Sequence, residues 1–281
     1  MLKNIKKFAP AFLNRTKPVF SAIGFILLFL VLSIGSYASY DYYKNTPTDS
    51  HEGSSSCNVL GINVHGSLIT YIPIELEEAD VVASDWVMSH IESAENDDSI
   101  KAILVEIEST GGLPIAGEEI EKALQLAKKP TVALIRQSGL STAYLASTGA
   151  DRIFASKYSD VGSIGVTQSY LENIDKDTKF IDLAAGKFKD AGNPDKPITQ
   201  EEKNLFMRDV NITHRYFMEA VSANRKIPME KVALFSDGSS FMGEKALEFG
   251  LIDQVGGIHD VKKYLRDKIG EEVEICWEWN Y

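Results

Sequence analysis

The chain has 281 residues, of which 44% are hydrophobic and 25% charged, a composition that excludes a wholly disordered or collagen-like polymer. Its net charge of -11 excludes a general affinity for nucleic-acid phosphate, so no nucleic-acid partner is expected. The two cysteines, Cys57 and Cys276, are too few for a disulfide-dense scaffold and too far apart for a clustered metal site. We expect neither a metal ion nor another cofactor.

The first 40 residues have the pattern of a membrane anchor. Residues 1–17 carry five basic side chains and no acidic one, and residues 18–40 carry no charge at all. This mostly apolar stretch of 23 residues exceeds the roughly 20 that cross ~30 Å of hydrocarbon. The positive-inside rule therefore predicts a cytoplasmic segment (1–17), one transmembrane helix in the lipid bilayer (18–40) and an extracytoplasmic remainder. Such a chain is a single-pass protein of the cell membrane.

A cleaved secretory signal is the alternative, because Ser-Tyr-Ala at 36–38 resembles a small-x-small cleavage site. We favour the anchor because its apolar stretch is longer than the ~7 to 15 residues of a typical signal core. Residues 41–57 are polar and Ser-rich, which predicts a flexible tether, and the folded domain is expected at 58–281. In an oxidising compartment Cys57 and Cys276 can form a disulfide, although two free thiols fit the sequence equally well.

From residue 58 onward, short apolar runs alternate with amphipathic helical patterns. Strands are predicted at 58–64, 101–108, 131–136, 151–156, 163–167, near 179–183, and at 272–279. Helices are predicted at 78–93, at 115–129, after Ser141, from the capping box of Thr199 and Glu202 onward, and twice more before the last strand. This β-α-β-α-β order predicts an α/β fold whose parallel or mixed sheet is joined by right-handed crossovers.

Three stretches carry residues suited to catalysis. Gly111-Gly112 follows a strand, where glycines let backbone N–H groups approach a bound group, although many such pairs are only turns. Ser141 stands at a predicted helix start, where it is either a nucleophile or simply an N-cap. The segment 185–190 contains two lysines. A lysine deprotonates a serine only when its amine is neutral, which requires burial or a nearby cation.

The five histidines do not supply a convincing base for Ser141, because each lies in an ordinary strand, helix or tether context. His259 could serve only in an Asp-then-His order, such as Asp253 or Asp237 with His259. A base of another kind is therefore expected.

Together these segments resemble the signal peptide peptidase A family of membrane-anchored Ser-Lys peptidases. The resemblance lies in the Gly-Gly turn, in the serine that opens the next helix, in Gly-Ser-Ile-Gly at 162–165 and in Gly-x-x-Lys-Asp at 186–190. Ala-Asp-Arg-Ile-Phe-Ala at 150–155 and Gly-Leu-Ile-Asp at 250–253 extend it over most of residues 58–269.

The resemblance implies a ClpP/crotonase-like superhelix of β-β-α units. It implies Ser141 as the nucleophile, Lys189 as the general base and Ser163 as the hydroxyl that orients the lysine. The N–H groups of Gly112 and Thr142 are implied to form the oxyanion hole. It also implies homo-oligomeric rings, commonly octamers, in which neighbouring protomers complete the sites. The implied substrates are signal-peptide remnants or other extended apolar peptides, cleaved by a membrane-anchored serine endopeptidase.

This chain departs from the family pattern at both halves of the implied oxyanion hole. Thr110 stands where the family usually has proline, and Thr142-Ala143 stands where it usually has Gly-Gly. The β-branched Thr142 side chain narrows the space around the acyl site. A catalytically inactive, membrane-tethered scaffold that binds peptides in the same groove is therefore the second hypothesis. A crotonase relative acting on acyl-CoA is disfavoured, because that chemistry is cytoplasmic and this domain is predicted to lie outside.

Lys187 competes with Lys189 for the role of base. The two lysines are two residues apart, so in an extended segment they point to opposite faces and at most one enters the site. The sequence leaves open whether Ser141 and the lysine of one site come from one chain or from two.

Overall fold

The computed structural model describes residues 57–73, 79–171 and 183–278. The predicted cytoplasmic segment, the predicted transmembrane helix and all of the tether except Cys57 lie outside these residues. Within the three ranges, no helix combines the length and the apolar character needed to cross a membrane.

Strands and helices alternate along the described chain. The strands are β1 (Val59–His65), β2 (Ser67–Ile69), β3 (Val81–Ala83), β4 (Ala102–Ser109), β5 (Thr131–Leu140), β6 (Arg152–Ala155), β7 (Asp160–Gly162), β8 (Ser240–Met242), β9 (Gln254–Val255) and β10 (Ile275–Glu278). The helices are α1 (Ser84–Asn96), α2 (Pro114–Leu126), α3 (Thr142–Ser147), α4 (Gln200–Arg225), α5 (Met229–Val232), α6 (Gly243–Phe249) and α7 (Ile258–Ile269).

The main sheet has the strand order β10-β1-β4-β5-β6-β9, and all of these neighbours are parallel. Strand β7 pairs in parallel with the last residues of β5, and β8 pairs antiparallel with β7. A small second sheet contains β2 and β3. These observations confirm the predicted α/β class with a mixed sheet. The carboxyl end of β5, where Ser141 follows, is thus bordered by β7.

Both faces of the main sheet are covered, which explains why its strands are continuous apolar runs. Along β4, Ile103 and Val105 belong to a large core cluster that includes residues of α1, α2 and α3. Leu104, on the opposite face, packs in a second cluster with Val261 and Leu265 of α7. The period of two along the strand therefore assigns successive residues to two separate cores.

The two ends of the folded part are joined covalently. Cys57 and Cys276 form a disulfide with a Cα–Cα distance of 5.7 Å. The bond lies where β10 pairs with β1, since Leu60 is the register partner of Cys276. The disulfide, which the sequence left open, follows from this pairing of the first and last strands.

Two sequence expectations are wrong in their boundaries. The helix predicted at 78–93 begins at Ser84, because Val81–Ala83 form β3 beside β2. The strand predicted at 163–167 is found instead at Asp160–Gly162. The capping box that starts α4 is confirmed, whereas most of the strand predicted near 179–183 lies outside the described residues.

Candidate active site

Ser141 occupies a tight turn between β5 and α3. Its backbone has φ 52° and ψ -128°, a region that residues other than glycine rarely adopt. Its N–H donates to the Gly162 carbonyl at 2.7 Å, and its carbonyl accepts from the Leu145 N–H at 3.0 Å. Ser141 stands at the N-cap position, but its hydroxyl makes no capping hydrogen bond. The hydroxyl therefore remains available for chemistry in a backbone strained like a nucleophile elbow.

The Gly111-Gly112 turn packs directly on Ser141. A Cβ atom placed on Gly111 would lie 2.9 Å from Ser141 Cβ and 3.2 Å from the Thr142 nitrogen. A Cβ atom on Gly112 would lie only 2.1 Å from the Leu68 carbonyl oxygen. On its other side the turn is anchored to β2, because the Leu68 N–H donates to the Gly111 carbonyl at 3.0 Å. Only residues without a Cβ allow this close approach.

The two N–H groups assigned to the oxyanion hole are free to bind a ligand. Neither the Gly112 nor the Thr142 N–H donates a hydrogen bond to another group in the described part of the chain. Thr142 itself is only 5% exposed, and its Oγ1 has no hydrogen-bond partner among those residues. Its side chain fits because Gly117 faces it: a Cβ there would lie 2.9 Å from Thr142 Cβ. A buried hydroxyl thus adjoins the proposed nucleophile.

Ser163 follows β7 directly, and hydrogen bonds hold both its hydroxyl and its N–H group. Its hydroxyl donates to the Gly238 carbonyl at 3.0 Å, and its N–H donates to the Ser239 carbonyl at 3.0 Å. Its φ of 50° is also in the left-handed region. Because the hydroxyl proton is already donated, Ser163 Oγ can take part in further hydrogen bonds only as an acceptor.

One cavity of about 730 Å³ brings Gly112, Ser141, Thr142 and Ser163 together. The turn after β4, helices α2, α3 and α4, and the segments beside β7 and β8 supply the other lining residues: Thr110, Pro114, Ile115, Glu118, Glu121, Lys122, Leu145, Gly165, Val166, Thr167, Thr213, Tyr216, Phe217, Ala220, Asp237 and Gly238. Glu118, Glu121 and Lys122 were not predicted from the sequence, because no local motif marks them.

Two acidic side chains of the cavity have defined partners. Glu121 is buried, accepts hydrogen bonds from Gln125 and Asn224, and lies 3.2 Å from the Lys122 ammonium. The pKa of Asp237 is lowered because the hydroxyl and the N–H of Ser239 both donate to its carboxylate. The cavity lining therefore includes two acidic side chains, one of which lies beside the Lys122 ammonium.

Lys189 is the one predicted site residue that the structure does not bring to this cavity. It is exposed on the loop before α4 and does not line the cavity. The ammonium of Lys187, by contrast, pairs with Glu201 at 2.9 Å. Within a single chain, Lys189 thus lacks the apolar surroundings that a neutral amine requires, and its role as base stays a prediction.

The described part of the chain places neither a histidine nor a metal-binding cluster at the cavity. No histidine of residues 57–73, 79–171 and 183–278 lines it. The same residues contain no cluster of His, Cys, Asp and Glu that could hold a metal ion.

Comparison with known proteins places this arrangement in a family. Over 186 residues the chain is 36% identical to a protein of Methanocaldococcus jannaschii provisionally named a protease, covering 64% of this chain and 60% of that one. Over 222 residues it is 26% identical to an Enterococcus faecium protein provisionally named signal peptide peptidase SppA, covering 76% and 64%. The chain thus spans less than two thirds of the length of these relatives.

Among solved structures, a mutant ClpP1 from Listeria monocytogenes aligns with a TM-score of 0.48 and 12% identity, covering 71% of this chain and 92% of that one. The family model for peptidase family S49 matches residues 123–272, which is more than half of the chain and includes Ser141, Ser163 and Lys189. By that match, the chain belongs to peptidase family S49.

Proposed function

We propose that this protein is a serine peptidase anchored in the cell membrane through residues 18–40, with its folded domain on the extracytoplasmic side. The proposed substrates are signal-peptide remnants and other extended apolar peptides. The observation that carries the proposal is the strained Ser141, which shares one cavity with Gly112, Thr142 and Ser163 in a chain of a peptidase family. The names of the relatives as a protease and a signal peptide peptidase support it.

In the proposed reaction, the neutral amine of Lys189 removes the proton from Ser141 Oγ, which attacks the carbonyl carbon of the scissile peptide bond. The N–H groups of Gly112 and Thr142 donate to the oxyanion, each contributing on the order of 10² to 10³ in rate. The lysine returns its proton to the leaving amine as the C–N bond breaks. Lys189 then deprotonates a water molecule whose oxygen attacks the acyl carbon. The bond from that carbon to Ser141 Oγ breaks, and the ammonium of Lys189 returns the proton to Oγ, which restores both groups.

We further propose that Lys189 acts on the Ser141 of a neighbouring subunit in a ring-like homo-oligomer, such as an octamer. The exposure of Lys189 and its absence from the cavity of its own chain support this arrangement. Burial at a subunit contact favours the uncharged form of an amine, which is the form that the reaction needs. Ser163 Oγ would then accept an N–H of that amine and direct its lone pair toward Ser141.

Subunit mixing tests the proposal. Ser141→Ala and Lys189→Ala should each abolish peptide hydrolysis by the full-length protein in detergent while leaving its fold unchanged. Co-assembly of the two inactive variants in equal amounts should restore about a quarter of wild-type activity, because a quarter of head-to-tail contacts then pair an intact serine with an intact lysine. Unimpaired cleavage by Lys189→Ala would refute the base assignment, and absence of restored activity would refute the shared site.

The second candidate function is a catalytically inactive peptide-binding scaffold of the same fold. The exposed Lys189 and the buried Thr142 side chain beside Ser141 favour this candidate. A serine-reactive fluorophosphonate separates the two candidates. Stoichiometric labelling of Ser141 in the assembled wild-type protein excludes the scaffold, whereas peptide binding without any labelling supports it.

A further inference from the structure

The loop that carries Lys189 is tied to the first turn of α4 by a chain of three charged groups. The Lys196 ammonium lies 2.9 Å from Asp190 Oδ2 and 2.9 Å from Glu202 Oε1. Asp190 is the residue directly after Lys189. One cation therefore connects the immediate neighbour of Lys189 to the start of a 26-residue helix.

The helix end of this connection is firmly oriented. Glu202 Oε2 accepts from the Thr199 N–H and from the Thr199 hydroxyl, both at 2.8 Å, and the Glu202 N–H donates back to that hydroxyl. The N–H of Thr199, the Lys196 ammonium and the Thr199 hydroxyl together lower the pKa of Glu202 to about 2. The carboxylate is also only 5% exposed, so it is a charged and fixed anchor for Lys196 at any ordinary pH.

The loop end has its own turns. The Lys189 N–H donates to the Gly186 carbonyl at 3.1 Å, and the Asn193 N–H donates to the Asp190 carbonyl at 3.1 Å. These bonds define the backbone on either side of Lys189 but do not link it to α4. The side-chain link nearest to Lys189 is the pair of Asp190 with Lys196.

A second ion pair links the same loop to the same helix turn and provides a comparison. Lys187 lies 2.9 Å from Glu201, but both side chains are about two thirds exposed, at 64% and 65%. Exposed pairs of this kind contribute little, because solvent and salt screen them. Lys196, at 34% exposure and with two acceptors, is the better-defined connection.

We propose that Lys196 is a positioning residue which, by joining Asp190 to Glu202, holds Lys189 in the geometry that its proton transfer requires. This inference rests on the proposed role of Lys189 as general base. Misplacing a catalytic group by about 1 Å costs on the order of 10² in rate, so a loop released from α4 should transfer protons poorly even though Lys189 is present.

The experiment compares kcat and KM of full-length variants in detergent with a fluorogenic apolar peptide. Lys196→Met should lower kcat by about 10 to 100-fold and leave KM unchanged, because it alters the base rather than the cavity. The rate of fluorophosphonate labelling of Ser141 should fall by the same factor. Lys196→Arg should restore most of the rate, since a guanidinium can bridge two carboxylates. Lys187→Met, which breaks the exposed pair, is the matched control and should leave kcat unchanged.

Asp190→Ala guards against a trivial effect on folding, because it removes the acceptor for Lys196 on the loop and leaves the Lys196–Glu202 pair and the helix cap in place. It should reproduce the loss seen for Lys196→Met, and the double variant should be no slower than either single one. Wild-type kcat for Asp190→Ala overturns the positioning role, whether or not Lys196→Met folds. Lys189→Ala tests the base assignment separately: if it is active, that assignment is wrong; if it is inactive while Asp190→Ala is normal, only the positioning inference is wrong.

Discussion

The two halves of the proposed catalytic apparatus are built in different ways. The half around Ser141 consists of backbone: a strained turn, two glycines without Cβ atoms and a hydrogen bond from the Ser141 N–H to the end of β7. The half around Lys189 is an exposed loop that side-chain ion pairs attach to α4. The first half is close-packed, and the second depends on charges at the surface.

Because of this difference, a single chain can form the oxyanion hole by itself but can only hold Lys189 in place until another surface buries it. Backbone donors at the end of a sheet keep their positions without a ligand, so an oxyanion hole can be preformed within one chain. An amine that must lose its charge needs burial, and the exposed Lys189 loop does not provide it alone. Preorganising such a loop by ion pairs reduces the entropy lost when another surface covers it.

The largest effect is expected from adding one methyl group to the close-packed half. Gly112→Ala places a Cβ 2.1 Å from the Leu68 carbonyl oxygen, so the turn must move away from β2. Displacing its N–H should lower kcat by about 10²-fold or more, as loss of an oxyanion donor does. The strain should also lower the free energy of unfolding by about 1–3 kcal/mol, measurable by urea denaturation.

Gly257→Ala is the matched control, because the space around Gly257 is open to 4 Å. Gly257 precedes α7 and does not line the cavity. Gly257→Ala should therefore leave kcat at the wild-type value within experimental error. A wild-type kcat for Gly112→Ala would show that the turn tolerates movement. The half around Ser141 would then not be the more rigidly built of the two.

A smaller effect on the free energy of unfolding is expected at Ser141 itself, where the substitution by glycine should be more stable than the one by alanine. Ser141→Gly and Ser141→Ala should both be inactive, but Ser141→Gly should unfold with a free energy about 1 kcal/mol higher than Ser141→Ala. The reason is that glycine adopts the φ of 52° without the strain that any Cβ causes. Urea denaturation of the two inactive variants measures this difference.

Ser89, exposed in the middle of α1, supplies a control in which the sign reverses. There Ser89→Gly should be less stable than Ser89→Ala by about 1 kcal/mol, because glycine is a poor helix former. If the alanine variant is more stable than the glycine variant at both serines, Ser141 is not strained.

Much of the backbone-built half could be predicted from the sequence. Long apolar runs identified β1, β4 and β5, and the family resemblance implied that the glycines after β4 and the serine after β5 belong to one site. Strands β2, β3, β8 and β9 were not predicted, because two or three residues are too short to display a period. Strand β7 was placed three residues late, because the chain leaves the sheet after Gly162, where Gly162 and Ser163 both take positive φ.

The half around Lys189 was predicted only in its residue types. The Gly-x-x-Lys-Asp motif located the lysine, but nothing in the motif indicated that Lys196 and Glu202 would hold its neighbour Asp190. Contacts among charged side chains separated by six or more residues leave no periodic signal in the sequence. The charged lining residue Glu121 was missed for the same reason, since the fold brings it to the cavity from a distant element.

The smallest effect is expected in the acid stability of the ion-paired half. The pKa of Glu202 falls from 4.5 to about 2 on folding, so between these values the unfolded chain binds a proton that the folded chain does not. The stabilisation from Glu202 is therefore complete above about pH 5 and lost as the pH falls toward 2. Glu202→Gln should remove this part of the acid dependence, so its free energy of unfolding in urea should fall less between pH 6 and pH 3 than that of the wild type. Glu201→Gln, on the same turn but 65% exposed and outside the capping box, should follow the wild-type curve. If both variants follow the wild-type curve, Glu202 holds the Lys189 loop no more firmly than the exposed Glu201 does. The two halves then differ less in rigidity than their contacts indicate.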